Sequence, residues 1–370
     1  MDSLPKTQTA IIANEHGNLV ISHDVALAPL RPDTVLIRSE CVALNPVDAK
    51  LTGPMGFHGA ISGSDVSGVV VGLGPDVPTG RNFQIGDRVC AAVQSMNPLA
   101  PLTGAYAEYV DATADFTLKL PTGMGWEEAA TLGIGTATIG YALFWSLKVP
   151  GHPQKPAEQP CFVLVYGGST ASGTMAIQIV RRSGLVPITT CSPHNFALVE
   201  QYGAEKAWDY KDARAVDQIR EYTKNRLKYV LDCFCEGNSM SFCYDCIGRP
   251  GGFYTSLEPY NQVKAASRKL IKADWLLGPA LFGKKLGWPP PYDVEPDPAL
   301  REFGREWYLC VQALLDQGLL KTHPVKMVEG GFKGVLDGLE LLRNKAVSGA
   351  KLVVHVRGGQ VVEKKLKLER

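Results

Sequence analysis

The chain lacks a charge bias: 38 Lys and Arg face 37 Asp and Glu, a formal net charge of +1. No global field draws it to nucleic acid or to an anionic membrane, so any acidic partner has to be met by a local patch. It also lacks anything near the roughly 20 consecutive apolar residues of a membrane helix. The most apolar tract, 66–73, is broken by glycines. Residues 1–10 carry neither the basic stretch nor the apolar run of a secretory signal. The nine cysteines are odd in number and scattered, which fits reduced thiols better than a disulfide framework. A soluble, cytoplasmic protein without membrane or nucleic-acid partners is expected. The seven histidines show no clustered ligand spacing, and no G-x-S-x-G elbow is present, which removes the common hydrolase class.

What remains is an ordinary globular composition, 45% hydrophobic and 20% charged over 370 residues, enough for two or three domains. Up to about residue 110 the text is short β-like runs at 34–43, 66–72, 88–93 and 106–110, separated by Gly, Pro and Asp. This predicts a small antiparallel β domain. Gly86-Asp87 reads as a turn leading into a buried strand. At 125–130, Glu127 and Glu128 fall in the first turn of a helix, where its dipole favours acids.

After the Pro-rich connector 150–160 the pattern changes. Residues 161–166 are continuously apolar, as in a central strand covered on both faces, and strand-helix alternation continues through 186–190, 229–233 and 252–257. A doubly wound parallel sheet is predicted. Between 258 and 307 the alternation fails, and a Pro-rich stretch containing Trp288 and Tyr292 reads as an insertion. A helix is expected from about Glu306 to Gly318, then a closing strand at 351–356 that returns to the first domain. The basic residues 364–367 read as a solvated tail.

The strongest chemical signal is the small-residue turn 166–174, with a strand before it and a helix after it. Such a turn lets backbone amides and a helix N-terminus approach a pyrophosphate. In the G-x-G-x-x-G frame Gly168 and Gly173 are in place, while Thr170 replaces the middle glycine. About 20 residues on, where NAD enzymes place an acid for the ribose hydroxyls, stand Ser192, His194 and Asn195. These can donate to a 2′-phosphate without repelling it, so NADPH is the expected cofactor. Tyr210-Lys211 is placed to cap the adenine ribose. Cys233, Cys235, Cys243 and Cys246 have a spacing that suggests metal, but their setting on a strand end and one helix predicts core packing instead. No metal is expected.

Several blocks together resemble a known family. Asn45-Pro46-Val47-Asp48, the run from Gly63 to Val70, Gly86 to Val89, Gly104 to Tyr109 and Glu127 to Leu132 are similar, in order, to the zinc-free quinone-oxidoreductase branch of the medium-chain dehydrogenase/reductase superfamily. Where zinc enzymes of that superfamily carry a His-Glu pair, this chain has Ser64 and Asp65. Within the branch, Ala43 to Lys50, the 166–174 turn, Cys191 to Asn195 and Ala346 to Leu352 most resemble the trans-acting enoyl reductases of fungal highly reducing polyketide synthases.

The resemblance implies an α/β fold in which a Rossmann-type doubly wound parallel sheet (156–299) is inserted into a GroES-like, β-rich catalytic domain (1–155 and 300–370). It implies an NADPH site lined by Val47, Asp48, Ala49 and Lys50; by Gly168, Ser169, Thr170 and Ala171; by Cys191, Ser192, Pro193 and His194; and by Tyr210, Leu257, Glu258, Val347 and Ser348. It implies a substrate channel along Gly133, Ile134, Gly135, Thr136, Ala137, Thr138, Ile139 and Gly140, and along Leu277, Gly278, Pro279, Ala280 and Leu281. The implied reaction is NADPH-dependent reduction of the α,β-double bond of a polyketide enoyl thioester held by the acyl carrier protein of a polyketide synthase. Thr136 and Lys50 are the candidate donors to the enolate oxygen, Lys50 lying rather on the cofactor than acting as an acid; no residue is assigned as the donor of the final proton, for which solvent would serve. Two other readings share the cofactor: an NADPH quinone or enone reductase of small free molecules, and a non-catalytic NADPH-binding accessory protein. Arg181-Arg182 or Lys284-Lys285 are candidate basic patches for an acidic carrier protein. A monomer is expected if the Pro-rich insertion covers the edge of the parallel sheet.

Overall fold

The computed structural model describes residues 4–357, so the basic tail lies outside the described residues. In the N-terminal region, strands β1 (Thr7–Ala13) and β2 (Leu19–Ala26) pair as a hairpin. A seven-stranded sheet is built from β3 (Thr34–Ala43), β4 (Asp65–Leu73), β5 (Arg88–Ala92), β6 (Tyr109–Thr113) and β7 (Thr117–Lys119), joined from the far end of the chain by β14 (Val325–Met327) and β15 (Lys351–His355). The run β15, β3, β4, β5, β7 is antiparallel throughout. The predicted return of the last strand is observed, with His355 opposite Cys41 and Val353 opposite Ala43 on β3.

The second sheet has six parallel strands: β8 (Phe162–Tyr166), β9 (Val186–Thr190), β10 (Lys206–Trp208), β11 (Tyr229–Asp232), β12 (Gly252–Ser256) and β13 (Ile271–Trp275), ordered β10-β9-β8-β11-β12-β13. The order reverses after β8, which makes the carboxyl ends of β8 and β11 a topological switch point, where doubly wound sheets bind ligands. Helices alternate with these strands: α4 (Ala171–Arg182), α5 (Phe196–Gln201), α6 (Ala215–Tyr222), α7 (Ser239–Cys246) and α8 (Gln262–Ala266). Before them come α1 (Pro46–Lys50), α2 (Trp126–Ala130) and α3 (Gly133–Gly140). After them come α9 (Pro298–Asp316) and α10 (Gly331–Arg343). One apolar core runs between the two sheets, joining Leu118, Ile139 and Leu143 to Val163, Ile179, Trp307 and Val311. No helix among the described residues is long and apolar enough to cross a membrane.

Four expectations are corrected. The alternation does not stop at 258: α8 and β13 form a further unit, hidden in the sequence because Lys272 and Asp274 leave this edge strand polar on its exposed face. The helix expected from Glu306 starts at Pro298, where the Asp297 side chain accepts from the Leu300 amide at 3.0 Å as an N-cap. The strand expected at 106–110 is Tyr109–Thr113, because Ala107 bridges to Ala10 and the Tyr106 phenol turns inward to Asp48. Finally, the Pro-rich stretch does not lie along the sheet edge. It meets β13 at its last residue, Trp275, whose ring lies edge-on to Tyr292 at 5.8 Å, and its Leu286 and Trp288 pack on Ala13, Leu51, Ala60 and Met96. The reason given for a monomer therefore fails.

Candidate functional site

The segment expected to hold the cofactor is made from contiguous residues. β8 delivers the chain to Gly167, whose φ of +84° turns it sharply, and a Cβ on Gly168 would lie 1.9 Å from Thr189 Oγ1. The strand can pack this closely on its neighbour only without a side chain. Thr170 replaces the middle glycine for a definite purpose. Its hydroxyl donates to the Gly167 carbonyl at 2.8 Å and accepts from the Gly173 amide at 2.9 Å, capping α4. The amides of Ser169, Ala171 and Ser172 make no hydrogen bond within the described residues. Three open donors at the N-terminus of a 12-residue helix are a cradle for a pyrophosphate, and a dinucleotide fits these residues.

Next to it, the predicted residues of two distant segments meet. His194 Nε2 lies 3.1 Å from Ser348 Oγ, and Asn195 Nδ2 donates to the same oxygen at 3.0 Å. Ser192 is half-buried, while Pro193, His194, Ser348 and Tyr210 are exposed beside the carboxyl ends of β9 and β10. Cys191 is buried, so its thiol faces the core rather than a ligand. Between the β-rich and parallel-sheet parts, the Lys50 ammonium on α1 meets Glu258 after β12 at 2.6 Å, and the Tyr292 phenol donates to the other carboxylate oxygen at 3.0 Å. Val47 and Leu257 flank this pair at intermediate exposure. Tyr292 was missed as a site residue, since nothing in a Pro-rich run announces a partner 34 residues upstream.

Beneath α1 lies a fully buried polar network. Asp48 accepts from Ser64 Oγ at 2.7 Å, from Tyr106 OH at 2.8 Å and from the Asn45 amide at 3.0 Å. Asp65 accepts from Asn45 Nδ2 at 2.9 Å, from the Ile134 amide and from the Lys351 ammonium, which also donates to Asn45 Oδ1 at 2.9 Å. Burial pushes the Asp48 carboxyl up to about 6; the neighbouring Asp65 charge adds to this, against the hydrogen bonds from Ser64, Tyr106 and Asn45. Asp48 and Ala49 are buried, and the Asp48 carboxylate is turned into this network, so any part these two residues take at a cofactor is through the α1 backbone. The role of Lys351 was also missed, because the network joins residues as far as 306 positions apart.

The expected substrate wall divides into two faces. Thr136 is fully buried, its hydroxyl donates to the Leu132 carbonyl one turn back, and its own carbonyl accepts from Trp307 Nε1 at 2.8 Å. It has no proton to offer an enolate, so that candidacy is withdrawn. Ala137, Ile139, Ala280 and Leu281 sit in the main core, Pro279 is buried, and Gly140 lies against the Trp307 ring. Gly133 is small because Asp65 Oδ1 occupies the place of its Cβ. The residues with open or partly open surface are Gly135, next to which a Cβ would meet nothing within 4 Å, then Thr138 and Leu277. Gly278 closes against Thr138 and Ile134. The basic patches are muted: Arg181 pairs with Glu205, Lys284 with Asp33 and Lys285 with Glu295.

A zinc ion does not fit at Ser64 and Asp65. The Asp65 carboxylate is already held by an ammonium and two N–H donors, and no thiol or imidazole belongs to the network. Cys243 and Cys246 are buried among Leu164, Ile188 and Val230, while Cys233 and Cys235 are half-buried.

Residues 31–122 match the alcohol dehydrogenase GroES-like domain and residues 171–257 the zinc-binding dehydrogenase family. The trans-enoyl reductase FSL5 of Gibberella zeae is 54% identical over 353 residues, covering 95% of this chain and 98% of that protein. The trans-enoyl reductase buaC of Petromyces alliaceus is 47% identical, covering 95% and 97%. The crystal structure of CurK enoyl reductase superposes with a TM-score of 0.74 at 18% identity, over 94% of this chain and 99% of that one, which speaks to fold alone. The chain belongs to the trans-enoyl reductase family of the medium-chain dehydrogenase/reductase superfamily, whose fold implies a nicotinamide cofactor.

Proposed function

We propose that this protein uses NADPH to reduce the α,β-double bond of a polyketide thioester presented by the acyl carrier protein of a polyketide synthase. The observation that carries the choice of cofactor is the cluster of Ser192, His194, Asn195 and Ser348 beside the open amides of α4: hydroxyl, imidazole and amide groups meet there, and the 191–195 run contains no carboxylate. Membership among trans-enoyl reductases supports the reaction and the need for a separate synthase.

In the division of labour we propose, the parallel-sheet domain within 156–299 carries most of the cofactor site, Lys50 and Ser348 join it from the β-rich domain, and the acyl chain runs along α3 beside Leu277. When bound, NADPH would supply the hydride that goes to the β-carbon, and the enolate so formed would take a proton at the α-carbon. The chain's own contribution is alignment. The amides of Ser169, Ala171 and Ser172 would hold the pyrophosphate, the 192–195 loop and Ser348 would hold the adenosine end, and the Lys50–Glu258 pair ties the two halves together. Lys50 takes the position of a cofactor contact and solvent delivers the α-proton. Gly135, Thr138 and Leu277 leave room along α3 for an extended chain.

The test compares NADPH oxidation on an enoyl-carrier protein, the matching enoyl thioester of a small thiol, and a simple quinone. The expected order of kcat/KM is carrier protein, thioester, quinone. A quinone turned over faster than both thioesters would assign the protein to the small-molecule reductases. Tight NADPH binding without turnover of any acceptor would leave only an accessory role.

A further inference from the structure

One cluster of ligand-type side chains stands apart from everything described above. Cys41 on β3 and His355 on β15 are direct cross-strand partners, so their side chains share one face of the sheet. Cys41 Sγ lies 3.1 Å from His355 Nδ1, and His355 Nε2 lies 2.8 Å from Glu127 Oε1 in the first turn of α2. One donor atom from each residue falls within 4.8 Å of the other two, the only such trio of His, Cys, Asp or Glu among the described residues. We propose that Cys41, Glu127 and His355 bind a thiophilic divalent cation of the zinc class, at a position separate from the cofactor and acyl-chain residues.

Thiolate, imidazole and carboxylate are the donor types zinc prefers, at about 2.0 to 2.3 Å from the metal, and donors around a tetrahedral ion sit within about 4 Å of each other. Small side-chain adjustments therefore close the trio on an ion: the imidazole turns to present one nitrogen, the thiol proton leaves to solvent, and water completes the coordination. Thiolate and carboxylate then neutralise the two positive charges. The site is also held in place before any ion arrives. Ser67 Oγ on β4 donates to the Trp126 carbonyl at 2.7 Å and fixes the start of α2, while the β3–β15 ladder fixes the other two ligands. His355 and Glu127 are partly exposed, with side-chain values of 40% and 36%, which gives an ion a way in. The rival reading, a thiol activated by a His-Glu pair for nucleophilic attack, is the poorer fit because Cys41 is fully buried and a substrate would have to reach its sulfur, whereas an ion enters through the partly exposed His355 and Glu127. Position suggests what the ion does: it staples β15, which carries Lys351, to α2, which leads into the α3 wall. Binding would stabilise the folded state by mass action and take no part in hydride transfer.

The test uses the full-length protein, stripped with a chelator and titrated with cobalt(II). The expected result is a thiolate-to-cobalt charge-transfer band that saturates at one equivalent, is displaced by zinc, and is accompanied by a rise in melting temperature. His355→Ala and Glu127→Gln, at partly exposed positions, should each weaken binding at least tenfold, and Cys41→Ser should abolish the band. NADPH binding should be retained in all three, which checks folding, and turnover by the stripped wild-type protein should be unchanged. Absence of the band at one equivalent, a band that survives Cys41→Ser, unchanged affinity in His355→Ala, or turnover lost on stripping would each overturn the proposal.

Discussion

The open turn after β8 and the buried network beneath α1 solve opposite problems. The turn presents unpaired backbone amides to a ligand and is assembled from contiguous small residues, with Thr170 capping the helix it feeds. The network hides two carboxylates and an ammonium from water, and these charged members come from α1, β4 and β15. In the first, under the function proposed above, unsatisfied polar groups are what binds the ligand. In the second, any unsatisfied group is a penalty, since a buried charge without its partner costs far more than the pair contributes. A binding site can thus be local and tolerant of sequence elsewhere, whereas a charged core needs the whole sheet closed before it is stable.

The sharpest way to break the network is Lys351→Met, which leaves Asp65 buried without its cation. A loss of about 3 to 5 kcal/mol is expected, measured as a shift in denaturant midpoint. The same variant should bind NADPH normally at temperatures where it remains folded, because no turn residue touches Lys351. A loss below about 1 kcal/mol would mean that the ammonium is dispensable there.

The second effect depends on pH. Asp48 is pushed up to about 6 from an ordinary 3.8, so the folded state holds its proton more tightly than the unfolded state does. Its contribution to stability is present below about pH 4 and is lost as pH rises through about 6, a change of about 3 kcal/mol at most. Asp48→Asn removes that titration. Relative to wild type, the variant should therefore gain stability between pH 4 and pH 7, as read from paired denaturation curves. A parallel pH response in the two proteins would contradict the assignment.

At the cofactor end the expected effects are smaller and appear in ligand binding rather than folding. NADPH should bind at least tenfold more tightly than NADH, about 1.4 kcal/mol, and Ser192→Asp should erase that preference while leaving the melting temperature within a degree or two. Fluorescence titration of both cofactors decides it, and equal affinities in the wild type would remove the case for NADPH. Least of all in stability, Lys50→Met should cost under about 1 kcal/mol, since the Lys50–Glu258 pair is about half exposed on the lysine side. Its effect should fall on KM for NADPH. A large loss of stability there would show that the pair fastens the two halves more firmly than a surface contact can.

The same contrast explains what could be read in advance. The alternation of β8, α4, β9 and α5 was legible because continuous apolar runs and small-residue turns are local patterns. The meeting of His194 with Ser348 was anticipated only through family resemblance, since 154 residues separate them. Three elements escaped for identifiable reasons. β13 carries Lys272 and Asp274 on its exposed side and so lacks an apolar signature. The start of α9 was readable in Asp297-Pro298, an N-cap followed by a first-turn proline, but was masked by the prolines before it. Thr136 was misjudged because a threonine in a small-residue helix looks the same in sequence whether it faces the cleft or the core.

The parallel sheet, the small-residue turn after β8 and the absence of an acid at 191–195 are set by the sequence alone, because each depends on residues close together in the chain and on their intrinsic geometry. Only the tertiary structure decided which face of α3 is open, that Lys351 neutralises Asp65, and that Cys41, Glu127 and His355 share one corner. These depend on burial and charge balance, which exist only once β3, β4 and β15 have closed on one another and water has left the space between them.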